Sequence, residues 1–436
     1  MSINSPRTTH ADLALEVWLE IFRYATYVPE AMDLAPMDPF IPQQPSNNAL
    51  GPNTHVLSMR TKYDLILVCR AWRQVTMQLL YEYIPIKSPR RADLILQSLQ
   101  GSRQLSATGE PVSESYGKWT RHIQIQTFAK GSGSTQYLQK VFRICQHCPN
   151  VRMLSGIWQW ALPQSFYDAI SRLYGASLQG LLWHETGHAS PPTPSFVTPL
   201  FFEAFRSLRV LHMSLYYTAD LHRLTPPSEP RPVLPQVEHL ILSTRLSSTL
   251  SAAAALHLPM LSRVTLAYCG ILAAGLQSFL RVHGPSITYL DLSESSPYVP
   301  GISQFLQPDG CPNLRDFVYN VQTLPMGPLN QPHTSLRRIG LRGIEYRMMR
   351  GSVKSHFRSF NRDVFPALEV VRTVGFLLSQ THRAYISYDT QNEFIHWVEE
   401  FERDGIDLQD GEGVVWLRSE EEDETSEPTR FQRWAL

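Results

Sequence analysis

The hexapeptide Ile287-Thr288-Tyr289-Leu290-Asp291-Leu292 is one copy of a pattern that recurs through most of this 436-residue chain. Apolar residues occupy its first, fourth and sixth positions. Ten copies begin at residues 120, 151, 178, 208, 237, 261, 287, 314, 336 and 368, between 22 and 32 residues apart, and the first of them is degenerate because it begins with Thr120. The alternation at the end of each copy predicts a short strand with one face in a core and the other facing solvent or a partner.

Proline follows the same period. It stands two residues before the first apolar position in six copies, at Pro149, Pro235, Pro259, Pro285, Pro312 and Pro366. There it would end the preceding segment just before the strand. A repeat of about 28 residues is typical of leucine-rich repeats, so the sequence predicts an α/β solenoid of the horseshoe type. A doubly wound sheet is the alternative, but its strands would be near-continuous apolar runs.

Two helices are predicted before the repeats. In residues 12–25 and 61–79, apolar side chains recur at three- and four-residue steps, which predicts amphipathic helices that pack together. The intervening residues 27–58 contain six prolines and are predicted to be a loop or a disordered insertion.

These patterns divide the chain into four parts. We expect a small all-helical module at 11–91 with its Pro-rich insertion, a linker helix and loop at 92–118, a repeat array at 119–415 and an acidic disordered tail at 416–436. Within the array, Phe394, Trp397, Val398 and Phe401 form one face of a helix predicted to cap its open end.

Charge and composition argue against several classes of protein. The chain has 39 basic and 39 acidic residues, a balance that argues against binding nucleic acid through the overall field. Five scattered cysteines form no disulfide framework. No apolar run resembles a signal sequence or is long enough to span a bilayer. We therefore expect an intracellular protein, cytoplasmic or nuclear, with no membrane or nucleic-acid partner and no cofactor.

The two helices carry a pair of motifs. Leu13-Ala14-Leu15-Glu16-Val17-Trp18-Leu19-Glu20-Ile21-Phe22 and Leu67-Val68-Cys69-Arg70-Ala71-Trp72-Arg73 resemble the two halves of an F-box. Ala14 stands where the family has proline, and the insertion separates the halves. An F-box followed by irregular leucine-rich repeats is similar to the F-box proteins abundant in mushroom-forming fungi.

The resemblance implies a non-catalytic adaptor, the substrate-recognition subunit of a Skp–cullin–F-box ubiquitin ligase. The F-box would bind a Skp-type adaptor and through it a cullin, and the repeats would bind a protein substrate that the sequence does not identify. The adaptor-binding residues carried over are Leu13, Leu15, Val17, Ile21, Phe22, Leu67, Val68, Cys69 and Trp72. A repeat-based interaction scaffold, whose degenerate F-box recruits no ligase, is the alternative.

Substrate contacts are predicted at strand positions between the core residues, where side chains should face solvent. These positions are His184, His212, Asp291, Asn320, Arg342 and Arg372. Their mixed chemistry indicates no ligand class.

Two short motifs suggest metal chemistry. His184-Glu185-Thr186-Gly187-His188 fits H-E-x-x-H, which makes a zinc peptidase a minor alternative. That chemistry needs both histidines on one helical face, whereas His184 follows a predicted strand and Gly187 would interrupt a helix. Cys145 and Cys148 form a lone Cys-x-x-Cys, and because Cys148-Pro and Cys311-Pro occupy equivalent repeat positions we expect these thiols to pack in the core.

Overall fold

The structure is a computed structural model of the chain. It describes residues 13–28, 33–34, 38–41, 53–102, 115–126, 133–158, 162–185, 199–214, 233–243, 247–267, 273–292, 302–322, 329–344, 352–376, 378 and 388–417. The chain forms two compact units. The first comprises residues 1–36, 47–157 and 164–181, and the second comprises 37–46, 158–163 and 182–436.

Helices and strands alternate through most of the described residues. The helices are α1 (Leu15–Ala25), α2 (His55–Val68), α3 (Arg70–Glu82), α4 (Pro89–Gly101), α5 (Gly133–His147), α6 (Gln164–Tyr174), α7 (Pro199–Glu203), α8 (Ser247–Ala255), α9 (Ala273–His283), α10 (Ser352–Phe357) and α11 (Tyr388–Arg403). The strands are β1 (Tyr83–Ile86), β2 (His122–Ile125), β3 (Met153–Trp158), β4 (Gly180–Glu185), β5 (Val210–Ser214), β6 (His239–Ser243), β7 (Arg263–Ala267), β8 (Tyr289–Leu292), β9 (Asp316–Asn320), β10 (Arg338–Arg342), β11 (Val370–Thr373) and β12 (Asp407–Gln409).

The strands pair in parallel, each with its neighbours in the chain. In the first unit, β2 lies between β1 and β3. In the second unit, β5 to β12 pair in chain order. Each of the ten predicted strands is present and begins two residues after the first apolar position of its copy. The predicted α/β class and the repeat register are confirmed.

The repeat prolines lie in tight turns. In five of the six proline-bearing copies, the residue before proline accepts a hydrogen bond from the first apolar residue of the repeat. Ile287 N–H donates to the Gly284 carbonyl at 3.1 Å, and Leu314 N–H donates to the Cys311 carbonyl at 3.1 Å. Proline fixes φ near the value that the second position of a type I turn needs. Proline therefore sets the turn that leads into the strand as well as ending the preceding segment.

The repeat core consists of the apolar positions that define the pattern. Leu240, Leu266, Leu290, Phe317 and Ile339, which occupy the strands of five successive repeats, are at most 1% exposed. Because side chains alternate along a strand, the residues between them lie on the opposite face of the strands. We call that face of the second unit the polar face.

The boundaries differ from the predicted ones in three places. β1 lies inside the residues predicted as an all-helical module, and it pairs with the first repeat strand. α2 begins at His55, inside the predicted insertion, and α4, predicted as a linker helix, packs against α5. Through β1 and α4, strand pairing and helix packing extend the repeat arrangement toward the N-terminus beyond the recognisable copies.

The C-terminal helix is confirmed, and a strand follows it. In α11, Phe394, Val398 and Phe401 are buried. β12 then pairs with β11, and the buried carboxylate of Asp410 holds the turn after it. Its oxygens accept hydrogen bonds from two backbone N–H groups at 2.9 and 3.0 Å and from the Trp416 indole at 3.0 Å. The predicted disordered tail began at residue 416, but Trp416 is buried in this turn, so the ordered chain extends to at least residue 417. Residues 418–436, which include the acidic run, lie outside the described residues.

None of the helices in the described part of the chain is long and apolar enough to cross a membrane.

Candidate functional site

Three aromatic rings join the two helices that carry the F-box-like motifs. The ring of Phe22 lies 5.5 Å from that of Trp18 and 4.8 Å from that of Trp72, centroid to centroid, and the two tryptophans are 4.9 Å apart. Val75 and Leu79 of α3 complete this cluster. Phe22 was predicted to be an exposed adaptor contact. It is 2% exposed and is therefore a core residue. Trp72 is half-buried and packs against the same cluster.

The other apolar residues carried over from the resemblance are exposed. Leu13, Leu15, Val17 and Ile21 are between 43% and 46% exposed, and they lie on α1 or directly before it. At the C-terminal end of α2, Leu67 is 82% and Val68 is 58% exposed. Since α1 and α3 already bury their own core, these side chains are available to another molecule.

The single helix predicted over residues 61–79 is wrong, because two helices, α2 and α3, occupy this region and Cys69 forms the corner between them. Its backbone is extended, with φ −159° and ψ 171°, which separates the two helices. Its thiol sulfur accepts a hydrogen bond from the Trp72 N–H at 3.5 Å and so caps α3. This thiol is free and exposed, and it directly follows Leu67 and Val68 in the chain.

The two ends of the Pro-rich insertion are tied together at its base. Asn53 Nδ2 donates to the carbonyl of Ala25 at 2.9 Å, and Ser58 Oγ donates to the carbonyl of Thr26 at 2.6 Å. These bonds satisfy carbonyls at the C-terminus of α1, which lack helical partners. These two hydrogen bonds therefore hold the C-terminal end of α1 next to the start of α2.

The predicted substrate contacts differ in exposure. His184, His212, Asn320 and Arg342 are half-buried, whereas Asp291 is 8% and Arg372 is 4% exposed. The prediction that these positions face solvent is wrong for the last two. Asp291 Oδ2 accepts a hydrogen bond from Tyr289 Oη at 3.4 Å. The Arg372 guanidinium donates hydrogen bonds to the Pro39 carbonyl and to Gln409 Oε1.

Arg372 is covered by a segment of the chain for which the sequence predicted no role. Residues 38–41 belong to the Pro-rich insertion, but they lie on the polar face of the second unit. Phe40 packs there with Tyr289 and Val318 in one buried cluster. Periodicity gave no signal for this contact, and only an aromatic side chain within a proline-rich segment marks it.

Histidines on the polar face are held neutral. His212 Nε2 lies 2.8 Å from Ser243 Oγ, and His239 Nε2 lies 3.0 Å from Thr265 Oγ1. Burial and then nearby His184 lower the pKa of His212 to about 4. Burial, followed by the charge of Arg263, lowers the pKa of His239 to about 3. At neutral pH these imidazoles therefore act as hydrogen-bonding groups without charge.

The residues of the zinc-peptidase motif do not form a helix where they are described. His184 and Glu185 belong to β4, and His188 lies outside the described residues. H-E-x-x-H needs a helix to bring its histidines to one face, and the backbone here is a strand, so the helical geometry is absent at these two positions. In the described residues, no group of three or more His, Cys, Asp or Glu side chains could hold a metal ion.

The Cys-x-x-Cys pair is packed in the core, as predicted. Cys145 and Cys148 are free thiols that are 1% and 0% exposed. Burial raises the pKa of Cys145 to about 12 and that of Cys148 to about 11. The Tyr174 hydroxyl donates to both cysteine carbonyls, at 2.8 and 3.2 Å. Because thiolate is the reactive form, these values oppose a metal-binding or redox role.

An open cleft of about 570 Å³ lies beside α10 and α11. Its charged side chains include the Lys354–Glu393 ion pair, with 2.8 Å between Nζ and Oε1. The other lining residues combine aromatic rings with both signs of charge, so the cleft indicates no ligand class.

Comparison with known proteins identifies no family. No protein-family model matches the chain, and no curated protein sequence matches it. Among solved structures, a Bacteroides fragilis protein is similar over 66% of this chain and 74% of its own, with 12% identity and a TM-score of 0.34. The yeast complex of Rad7 and Elc1 is similar over 60% of this chain and 72% of the matched chain, with 12% identity and a TM-score of 0.27. At these scores neither match supports a conclusion about this chain.

Proposed function

We propose that this chain is a non-catalytic substrate receptor of a Skp–cullin–F-box ubiquitin ligase. The segment around α1 and the α2–α3 corner binds a Skp-type adaptor inside the cell, and through it a cullin. The polar face of the repeats holds a protein substrate. In this function the chain performs no chemistry; it brings a substrate to enzymes that other subunits recruit.

The exposed apolar side chains of α1 and α2 carry the proposal. Leu15, Ile21 and Leu67 remain substantially exposed although Phe22 and Leu79 fill the core beneath them. Large exposed apolar side chains cost solubility, and grouped on one element they are typical of a protein-binding surface. Their positions are also those that the F-box resemblance assigns to the adaptor.

The repeats support the second half of the proposal. Parallel repeat strands present a row of side chains whose identity is free to vary, because the core depends only on the alternate positions. On the polar face these side chains include arginine, histidine, asparagine and aspartate. Such a surface suits recognition of a particular protein sequence.

Co-purification with a Skp-type adaptor and a cullin tests the proposal. We expect the intact chain to bind the adaptor, and Leu15→Asp or Leu67→Asp to reduce that binding at least tenfold without unfolding the chain. Leu94→Asp is the matched control, because Leu94 is 58% exposed on α4, outside the F-box-like motifs.

Two results would reject the ligase role. One is a folded intact chain that binds no adaptor, and the other is adaptor binding that Leu15→Asp and Leu67→Asp leave unchanged. Either result would favour the alternative, a repeat-based scaffold whose F-box-like segment recruits no ligase. Equal loss of binding with Leu94→Asp would show that the effect is not specific to the F-box-like surface.

A further inference from the structure

Residues 38–41 place one aromatic ring in a pocket on the polar face. Phe40 is 6% exposed and packs with Tyr289 and Val318, which are 4% and 0% exposed. Gly340 forms part of the pocket floor, because a Cβ atom there would lie 3.3 Å from Phe40 Cζ and 3.1 Å from Val318 Cγ2. Glycine at this strand position therefore leaves the room that the ring occupies.

Two arginines surround the ring and its backbone. The Arg338 guanidinium carbon lies 4.5 Å from the centre of the Phe40 ring, and its Nη2 lies 4.0 Å from Asp38 Oδ2. Asp316 holds Arg338 in place through two bonds, of 2.5 and 2.8 Å. Arg372 Nη1 donates to the Pro39 carbonyl at 3.2 Å. The pocket thus recognises a carboxylate, a main-chain carbonyl and an aromatic ring within three consecutive residues.

The segment that fills the pocket has the form of a short peptide ligand. Asp38 Oδ1 accepts the Phe40 N–H at 2.9 Å, and the Asp38 carbonyl accepts the Ile41 N–H at 3.2 Å. With aspartate first and proline second, this is a turn that the sequence itself favours. Ile41, which ends the turn, is 60% exposed.

The segment that fills the pocket belongs to the Pro-rich insertion and is not part of a repeat. Residues 37–46 belong to the second unit, although the insertion begins and ends in the helices of the first unit. In its described part, residues 38–41, the segment joins none of the strands and is held by side chains and one backbone carbonyl. A separate polypeptide with the same three groups could make every one of these contacts.

We propose that the polar face of β8 to β11 is a binding site for a partner peptide that carries an aspartate two residues before a phenylalanine, in a proline turn. Residues 38–41 occupy this site as an internal competitor, which a partner must displace. The proposal deepens the substrate-binding role proposed above and names the chemistry of the bound sequence. It requires neither the adaptor nor the ligase.

A fluorescent peptide with the sequence of residues 36–43 tests the site on the purified full chain. Fluorescence anisotropy would compare the intact chain with an Asp38→Ala/Phe40→Ala double variant, whose own segment has lost its anchors. We expect the double variant to bind the peptide at least tenfold more tightly, because a tethered competitor acts at an effective concentration in the millimolar range. Ile41→Ala is the matched control and should bind like the intact chain.

Peptide variants provide controls that leave the protein unchanged. Alanine in place of the phenylalanine, or asparagine in place of the aspartate, should weaken binding to the double variant at least tenfold. The proposal is overturned if the folded double variant binds no peptide, binds it no more tightly than the intact chain does, or binds the altered peptides equally well.

Hydrogen–deuterium exchange in the intact chain provides a second test that needs no variant. Excess peptide should speed exchange at residues 38–41, because it displaces them. Unchanged exchange at millimolar peptide would reject the proposal even if the double variant failed to fold. Since these experiments use the chain alone, the peptide site and adaptor binding can fail independently.

Discussion

Replacing Phe22 with alanine tests whether the aromatic cluster holds α1 against α3. The ring is 2% exposed and contacts Trp18 and Trp72 at centroid distances of 5.5 and 4.8 Å. Removal of a buried phenylalanine side chain generally costs about 3–5 kcal/mol, which includes the cavity left behind. Because two ring contacts are lost along with the burial, we expect about 4 kcal/mol.

Hydrogen–deuterium exchange in α1 and α3 measures this loss where it occurs. A change of about 4 kcal/mol in the free energy of local opening corresponds to a fall in protection of about a thousandfold. Ile21→Ala is the control on the adjacent residue, which is 43% exposed, and its expected cost is below about 1 kcal/mol. If Ile21→Ala lowered protection as much as Phe22→Ala, the assignment of these residues to the exposed and buried faces of α1 would be wrong.

Three further changes test other parts of the fold. Asp410→Ala should lower the free energy of unfolding by about 3 kcal/mol, measured by thermal or urea unfolding, because three N–H donors lose their acceptor. Asp407→Ala is the control; Asp407 is exposed, so its replacement should change the free energy of unfolding little. Gly284→Ala should lower the melting temperature, since its Cβ would lie 1.9 Å from the Gly310 carbonyl oxygen, and an unchanged melting temperature would contradict this packing. The pKa of His239 is lowered to about 3, whereas an unfolded histidine takes up its proton near pH 6.5. Unfolding should therefore become easier as pH falls below 6.5, by about 3 kcal/mol at pH 4, and His239→Gln should remove that part of the pH dependence.

The repeat strands were predictable because each one carries its own apolar spacing in the sequence. The spacing recurs ten times, in most copies with all three apolar positions filled, and a proline turn often precedes it, so the register does not depend on any single residue. β1 follows the same rule, beginning two residues after Tyr81, with Ile84 and Ile86 at the core positions. It was missed because Tyr81 lies in a helical pattern and Pro85 interrupts the strand signal.

β12 and the pocket that holds Phe40 could not have been found in this way. At the core positions of β12 the sequence has Gly405, Leu408 and Asp410, and a buried aspartate replaces the last apolar residue. Its hydrogen bonds, which only the folded turn reveals, make that substitution possible. The burial of Arg372 likewise depends on a segment 333 residues away in the chain, and no local pattern encodes such a contact.

On the F-box-like segment, composition alone did not separate the two faces of α1. Ile21 and Phe22 are adjacent, similar in hydrophobicity and both part of the resemblance, yet one is exposed and the other is buried. The difference follows from where Trp72 lies, which is a property of the packed pair of helices. The motif therefore located helices that pack together, and the packing decided which of their side chains are exposed.

The distance in sequence between Pro39 and Arg372 has a consequence for the newly made chain. Strand pairs join neighbouring segments, so the repeats can assemble in the order in which a ribosome produces them. The bond between Arg372 and the Pro39 carbonyl has to wait until more than 370 residues exist. The ring of Phe40 can pack on Tyr289 and Val318 before that, so the aromatic contact can precede the hydrogen bond to the Pro39 carbonyl as the chain is made.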